Sequence, residues 1–107
     1  MSVFNVEVGK CSHRTRIEVE RKKERLEIKI NSTCNNVNSY ASRIKDLGLV
    51  DVMKPILENP IYVAANRLLD VTCVIPSVLA TACWVEAGLI SKRLLSQNPN
   101  TKIEFEG

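Results

Sequence analysis

The sequence predicts an α+β domain of two layers, an antiparallel four-stranded sheet packed against three to four helices. Three observations carry that expectation. Residues 3–31 alternate apolar and polar side chains with a period of two, as strands burying one face do. From Asn35 onward the apolar spacing changes to three and four, the spacing of helices. A length of 107 residues with 45% hydrophobic content suits one core rather than two, so residues 1–107 are expected to form a single domain.

The first three strands are read at VFNVEV (3–8), HRTRIEVE (13–20) and RLEIKIN (25–31). Their inward sets are Phe4, Val6 and Val8, then Thr15, Ile17 and Val19, then Leu26, Ile28 and Ile30. Short polar connections at Gly9–Ser12 and Arg21–Glu24 make the simplest arrangement a meander. If Glu20 faces Arg25 across the second turn, the register carried upward sets Cys11 opposite Cys34, both turned toward the helices.

Asn35 or Asn36 caps a first helix with Val37, Tyr40, Ala41, Ile44 and Leu47 on its apolar stripe and Gly48 as its left-handed terminator. VDVMKPILE (50–58) suggests a short second helix limited by Pro55, and NPIYVAANRLLD a third, opened by a cap and an N1-type proline. Pro76 opens the fourth and most apolar helix, which Gly88 ends; Val78, Leu79, Ala82, Trp84 and Val85 point in nearly all directions, so it is expected to be covered on most sides. After a polar loop, KIEFE (102–106) alternates again. It is expected to join the meander as the fourth strand with Ile103 and Phe105 inward.

Composition removes several function classes. The net charge of +3 arises from 15 basic and 12 acidic residues that are well mixed, and the basic hairpin ERKKERLE has no interleaved aromatic residue, so nucleic acid is not an expected partner. The amino-terminal residues lack a basic stretch followed by an apolar run. The longest charge-free run, Val71–Val85, is too short for a bilayer and contains Pro76. A cytoplasmic protein without membrane association is expected, in which the four cysteines are reduced thiols rather than disulfides. With one histidine, no nucleophile elbow and no glycine-rich phosphate loop, no enzyme class is assigned.

The thiols carry the remaining chemistry. Cys34 lies just before the cap of the first helix and Cys73 three residues before Pro76; backbone N–H groups and the helix dipole there favour thiolate, the form that binds metals. Cys83 sits inside the apolar helix and reads as a packing residue. Cys11, Cys34 and Cys73 are therefore candidate metal ligands for zinc or an iron–sulfur centre, with His13, Cys83 or an external molecule as the fourth ligand. No C-x-x-C pair is present, and the competing reading is three buried thiols acting as small hydrophobes. Glu86, in the last turn of the most apolar helix, opposes the dipole; it either pairs with Lys92 or Arg93 or belongs to a site.

The segments VGKCS, NSTCNNV and CVIPSVLATACWVEAGL resemble a family of small uncharacterised prokaryotic proteins, mainly archaeal and anaerobic bacterial, of unknown function. The resemblance covers nearly the whole chain. It implies a cysteine after the first strand, a second opening the first helix and a third before a proline and a helix ending in E-A-G-L, which fall on Cys11, Cys34, Cys73, Pro76 and Glu86 to Leu89. Ser12 and Asn35 stand where the family pattern implies glycine and proline. Three functions stay open: a thiolate metal protein, a non-enzymatic interaction module that is a candidate homodimer, and a thiol redox protein, which needs an exposed, acidic thiol.

Overall fold

The computed structural model describes all residues, 1–107. The sheet has the order β1-β2-β3-β4 with every neighbouring pair antiparallel, built from β1 (Ser2–Val8), β2 (His13–Lys22), β3 (Arg25–Ser32) and β4 (Asp46–Gly48). Helices α1 (Asn35–Arg43), α2 (Pro60–Val63), α3 (Ile75–Glu86) and α4 (Lys92–Gln97) accompany it. Helix α3 packs over β1 and β2, and α1 over β3. The expected class is therefore observed, with α1 and α3 packed on one face and charged side chains on the other.

The period of two places the core as expected: Ile17, Val19, Leu26, Ile28 and Ile30 are all buried against Val37, Tyr40, Leu79, Ala82 and Cys83. The register differs by two residues. Lys22 pairs with Arg25 and Ile17 with Ile30, because the chain turns through Lys23 and Glu24 alone, with Lys23 at φ 57°. A shift of two preserves every inward side chain. It does move the sheet end: Thr15 faces Ser32, so the same register carried on sets His13, not Cys11, level with Cys34.

The expected fourth strand at KIEFE is absent. Residues 98–107 form no regular element, and Ile103 and Phe105 are 85% and 95% exposed. The edge of β3 is taken instead by β4, which pairs with Arg25–Glu27 and is continued by the Ile28 N–H donating to the Lys45 carbonyl at 2.8 Å. Helix α1 stops at Arg43 with Ile44 at φ −135°, so only Ile44 and Lys45 separate it from β4. That short return closes a far smaller loop than one from residue 102. Ile44 and Leu47, whose i, i+3 spacing suggested one helix, are both buried from a linker and a strand, and Gly48 has no left-handed φ.

The expected second helix is reduced to a 3₁₀ turn at Asp51–Met53, and the third to the four residues of α2. Side chains hold this irregular stretch. The Asn59 side chain caps α2 by accepting from the Ile61 N–H at 3.0 Å while its amide donates to the Val52 and Lys54 carbonyls, both at 3.1 Å. The Tyr40 hydroxyl donates to the Ile61 carbonyl at 2.8 Å and the Trp84 indole N–H to the Val52 carbonyl at 2.7 Å. Trp84 lies at the partly exposed side of α3, so that helix is less enclosed than its composition implies.

The end of α3 forms as predicted. Gly88 adopts φ 81°, its N–H donates to the Val85 carbonyl at 3.1 Å, and the Leu89 N–H reaches back to Trp84 at 2.8 Å, the Schellman pattern. Ser91 then accepts from the Leu94 N–H at 3.2 Å and starts α4, a helix that the sequence reading missed although this cap was visible in it. Glu86, whose side chain is 7% exposed, accepts from Ser2 at 2.6 Å, Lys92 at 3.1 Å and the Met1 amino group at 3.3 Å. Burial pushes its carboxyl up, but these three donors outweigh that and hold it below its ordinary value. The stability this adds is present above the unfolded value of about 4.3 and lost as pH falls through the lower folded value. Glu86→Gln is expected to lower stability near neutral pH by about 1–3 kcal/mol, the range for a hydrogen-bonded charge, with the gap to wild type closing in acid; urea melts across pH check it.

Candidate functional site

At the end of the sheet where β1 meets β2, a cavity of about 250 Å³ opens between the sheet and the helices. Four segments build it: Val8, Lys10 and Cys11 at the first turn; His13 and Thr15 at the start of β2; Cys34, Asn36 and Val37 at the start of α1; and Leu69, Asp70, Cys73, Val74 and Ile75 leading into α3. All three thiols proposed from the sequence, and His13, thus line one cavity. Cys83 does not. It is fully buried in the core, where burial pushes its thiol up to about 12, as a packing residue requires. Larger hollows of about 590 and 460 Å³ lie on the outward face of the sheet. Their lining mixes Glu18, Glu20, Lys22 and Arg25 in one and Glu7, Arg14 and Arg16 in the other, so neither presents a consistent charge and neither holds a thiol.

The three thiols differ in surroundings. Cys11 is exposed on the turn, its Sγ 3.8 Å from the Val8 carbonyl, while Cys34 and Cys73 are half-buried against the core. No three His, Cys, Asp or Glu side chains stand close enough to hold a metal ion, so sharing the cavity is not the same as forming a finished ligand set. The expectation that a nearby helix N-terminus acidifies Cys73 is corrected. Desolvation dominates and pushes its thiol up; the Ile75 N–H acts against this, and the neighbouring Asp70 and Cys34 add to it.

The helix ends at this cavity use no side-chain oxygen as a cap. Cys34 is the N-cap residue of α1 and Val74 that of α3, and neither makes a side-chain cap bond, whereas α2 and α4 are capped by Asn59 and Ser91. The cap at Cys34 is extended, with φ −89° and ψ 121°, the backbone conformation usual for an N-cap residue.

Polar contacts tie the two thiol-bearing loops together. The Lys10 ammonium reaches the Thr72 hydroxyl and lies 3.8 Å from Asp70, and Asp70 accepts from the Thr72 N–H at 2.8 Å. The Thr72 hydroxyl and N–H hold the Asp70 carboxyl below its ordinary value, with Lys10 adding to the effect. Lys10, Asp70 and Thr72 were missed in the sequence, although Asp70-Val71-Thr72 carries the spacing of a side-chain-closed turn. His13 is held as well: its Nδ1 lies 2.9 Å from Thr33 Oγ1, which also accepts from the Arg14 N–H at 3.1 Å.

Two backbone positions beside the cavity, Ser12 and Asn35, are instructive. Ser12 adopts φ 58°, the left-handed region where a side chain costs about 1–2 kcal/mol and glycine little. Asn35 is the first residue of α1 after an extended Cys34, a setting that suits proline. Asn35→Pro is expected to raise stability by about 0.4–1 kcal/mol through the less flexible unfolded chain, and Ser12→Gly to raise it by less than the relieved strain of about 1–2 kcal/mol, because glycine loses more freedom on folding; both are read as a higher urea midpoint at unchanged slope.

A family model described as a family of unknown function (DUF6951) matches residues 2–98. No curated protein and no solved structure matches the chain.

Proposed function

The chain belongs to a family of unknown function, and from the chemistry of its thiol-lined cavity we propose that it is a metal-binding protein in which Cys11, Cys34 and Cys73 hold a soft cation, zinc foremost. The observation that carries this reading is the meeting of three thiols from three separate segments, with the chain's single histidine, around one small cavity. The volume, about 250 Å³, lies below the usual range for organic ligands of about 300–1,000 Å³. Three thiolates and an imidazole match a common zinc donor set.

Because no three donors stand together in this structure, binding requires the thiol-bearing segments to draw closer, and Cys11, the exposed thiol of the three, has the least packing to lose by moving. Cys73 does not suit the thiol redox reading, because burial pushes its thiol up, whereas a redox nucleophile needs an acidic thiol.

The test is the metal content and visible spectrum of untagged protein purified without oxygen. About one zinc per chain and no colour supports the proposal; colour with iron and sulfide assigns an iron–sulfur centre to the same thiols. Protein that takes up neither metal, even when zinc is supplied, overturns it.

A second reading, an interaction module pairing two copies, rests on Val50, Met53, Ile56, Leu57 and Val63, exposed apolar side chains close in sequence around the 3₁₀ turn and α2. It predicts a dimer by sedimentation that Leu57→Lys dissociates.

A further inference from the structure

The edge of the sheet at β1 has no partner. β1 pairs with β2 alone, and its only other main-chain bond is the Ser12 N–H donating to the Val8 carbonyl at 2.8 Å. The strand thus offers a row of outward N–H and C=O groups, a template for a further strand. The inner face of β1 is also incompletely covered: Phe4 and Val6 are half-buried, whereas Ile17 and Val19 on β2 are fully buried. At the other end of the chain, residues 101–106 (TKIEFE) alternate like a strand, yet Ile103 and Phe105 stand in solvent. One free edge and one unpaired strand sequence therefore coexist in the same molecule.

We propose that two copies of this chain exchange their C-terminal segments, residues 101–106 of each adding as an antiparallel strand to the β1 edge of the other. Two registers set Ile103 and Phe105 beside Phe4 and Val6 on the inner face. The antiparallel one pairs Ile103 with Val6 and Phe105 with Phe4, which puts Lys102 opposite Glu7 and Glu104 opposite Asn5. The parallel one puts Glu106 opposite Glu7, and like charges facing each other across strands are destabilising. Glu7 already lies 3.5 Å from Arg14 on β2, so Lys102 completes a row of alternating charge over three strands. In this register the added strand enters at Thr101, level with Val8. Helix α4 is tied to the opposite end of β1, where Glu86 accepts from Lys92 at 3.1 Å and from Ser2 at 2.6 Å. From Ser2 to Val8 is about 20 Å of strand, while α4 advances about 9 Å and residues 98–100 span about 13 Å when fully extended. A chain's own tail reaches that entry point only at full stretch and then has to reverse, so the occupant that fits is the tail of a second copy. The exchange is isologous, each copy giving one strand and receiving one. It uses neither the thiol cavity nor the apolar residues around α2.

The experiment is sedimentation of the full, untagged chain across concentrations under reducing conditions, with substitutions confined to exposed side chains. Wild type is expected to dimerise. Phe105→Lys is expected to weaken the dimer by about 30-fold or more, as losing an aromatic anchor from an interface does. Glu7→Lys and Lys102→Glu should each weaken it by about threefold or more, and the double variant should associate more tightly than either alone. Leu57→Lys should leave this dimer intact, which separates the exchange from pairing through the surface around α2. Three results each overturn the exchange: wild type that stays monomeric at every concentration, a dimer unaffected by Phe105→Lys, or a double charge reversal no tighter than the single ones.

Discussion

Serine in place of Cys11, Cys34 or Cys73 is expected to weaken zinc binding by about 100-fold or more in each case, since each removes a first ligand rather than one of its supports, whose loss costs about 10–100-fold. Cys83→Ser is expected to leave affinity unchanged and instead to lower stability by about 1–3 kcal/mol, by placing a hydroxyl in an apolar core; Cys83 is fully buried. A chelator competition titration gives the affinities and a urea melt the stabilities. Burial keeps the Cys73 thiol protonated at neutral pH, so zinc has to displace that proton. Affinity should therefore tighten by about tenfold per pH unit for each thiol proton released.

Asn59→Ala is expected to cost about 2–4 kcal/mol, the largest loss for any single polar side chain outside the cavity. The substitution removes a helix cap, worth about 1 kcal/mol, and strips two carbonyls of a donor at about 1 kcal/mol or more each. Asn59 is 4% exposed, so water does not easily replace those bonds. Val52 keeps its bond from Trp84, while Lys54 loses its side-chain donor. For a domain of this size the midpoint temperature should fall by on the order of 10 °C. Asn59→Asp separates the contributions. It keeps the acceptor for Ile61 but turns a second oxygen toward two carbonyls, so it should recover none of the loss; recovery would show that the cap alone matters.

The strands were legible because period-two alternation fixes which side chains face inward, and that parity survives a register error of two. Ile17 is buried whether it faces Ile28 or Ile30, and the structure pairs it with Ile30. The position of the turn was not legible, since Lys23 in a left-handed conformation carries none of the glycine or asparagine signals that mark such turns. β4 was hidden for a different reason. Ile44 and Leu47 satisfy helical spacing and are buried equally well by a linker and a short strand. KIEFE has strand alternation, but periodicity says nothing about which edge is free, and β4 had already claimed that of β3.

The cavity was partly legible. Placing Cys11, Cys34 and Cys73 at one end required only the directions of three strands and the start of two helices, and the cavity lining contains all three. The balance of effects on Cys73 was not, because the helix terminus and desolvation oppose each other and only the packing of Leu69, Val74 and Ile75 around the cavity decides between them. Nor were the contacts of Lys10 with Thr72 and of His13 with Thr33, which join residues 62 and 20 positions apart.

Cobalt(II) titration of the reduced protein tests the central claim most directly, because thiolate ligands to cobalt give intense charge-transfer absorbance that oxygen and nitrogen ligands do not. The account predicts saturation at one cobalt per chain, with thiolate absorbance that falls for each of Cys11→Ser, Cys34→Ser and Cys73→Ser and persists in Cys83→Ser. Cobalt that produces no thiolate absorbance, or absorbance that survives the loss of any one of the three cavity cysteines unchanged, would contradict it.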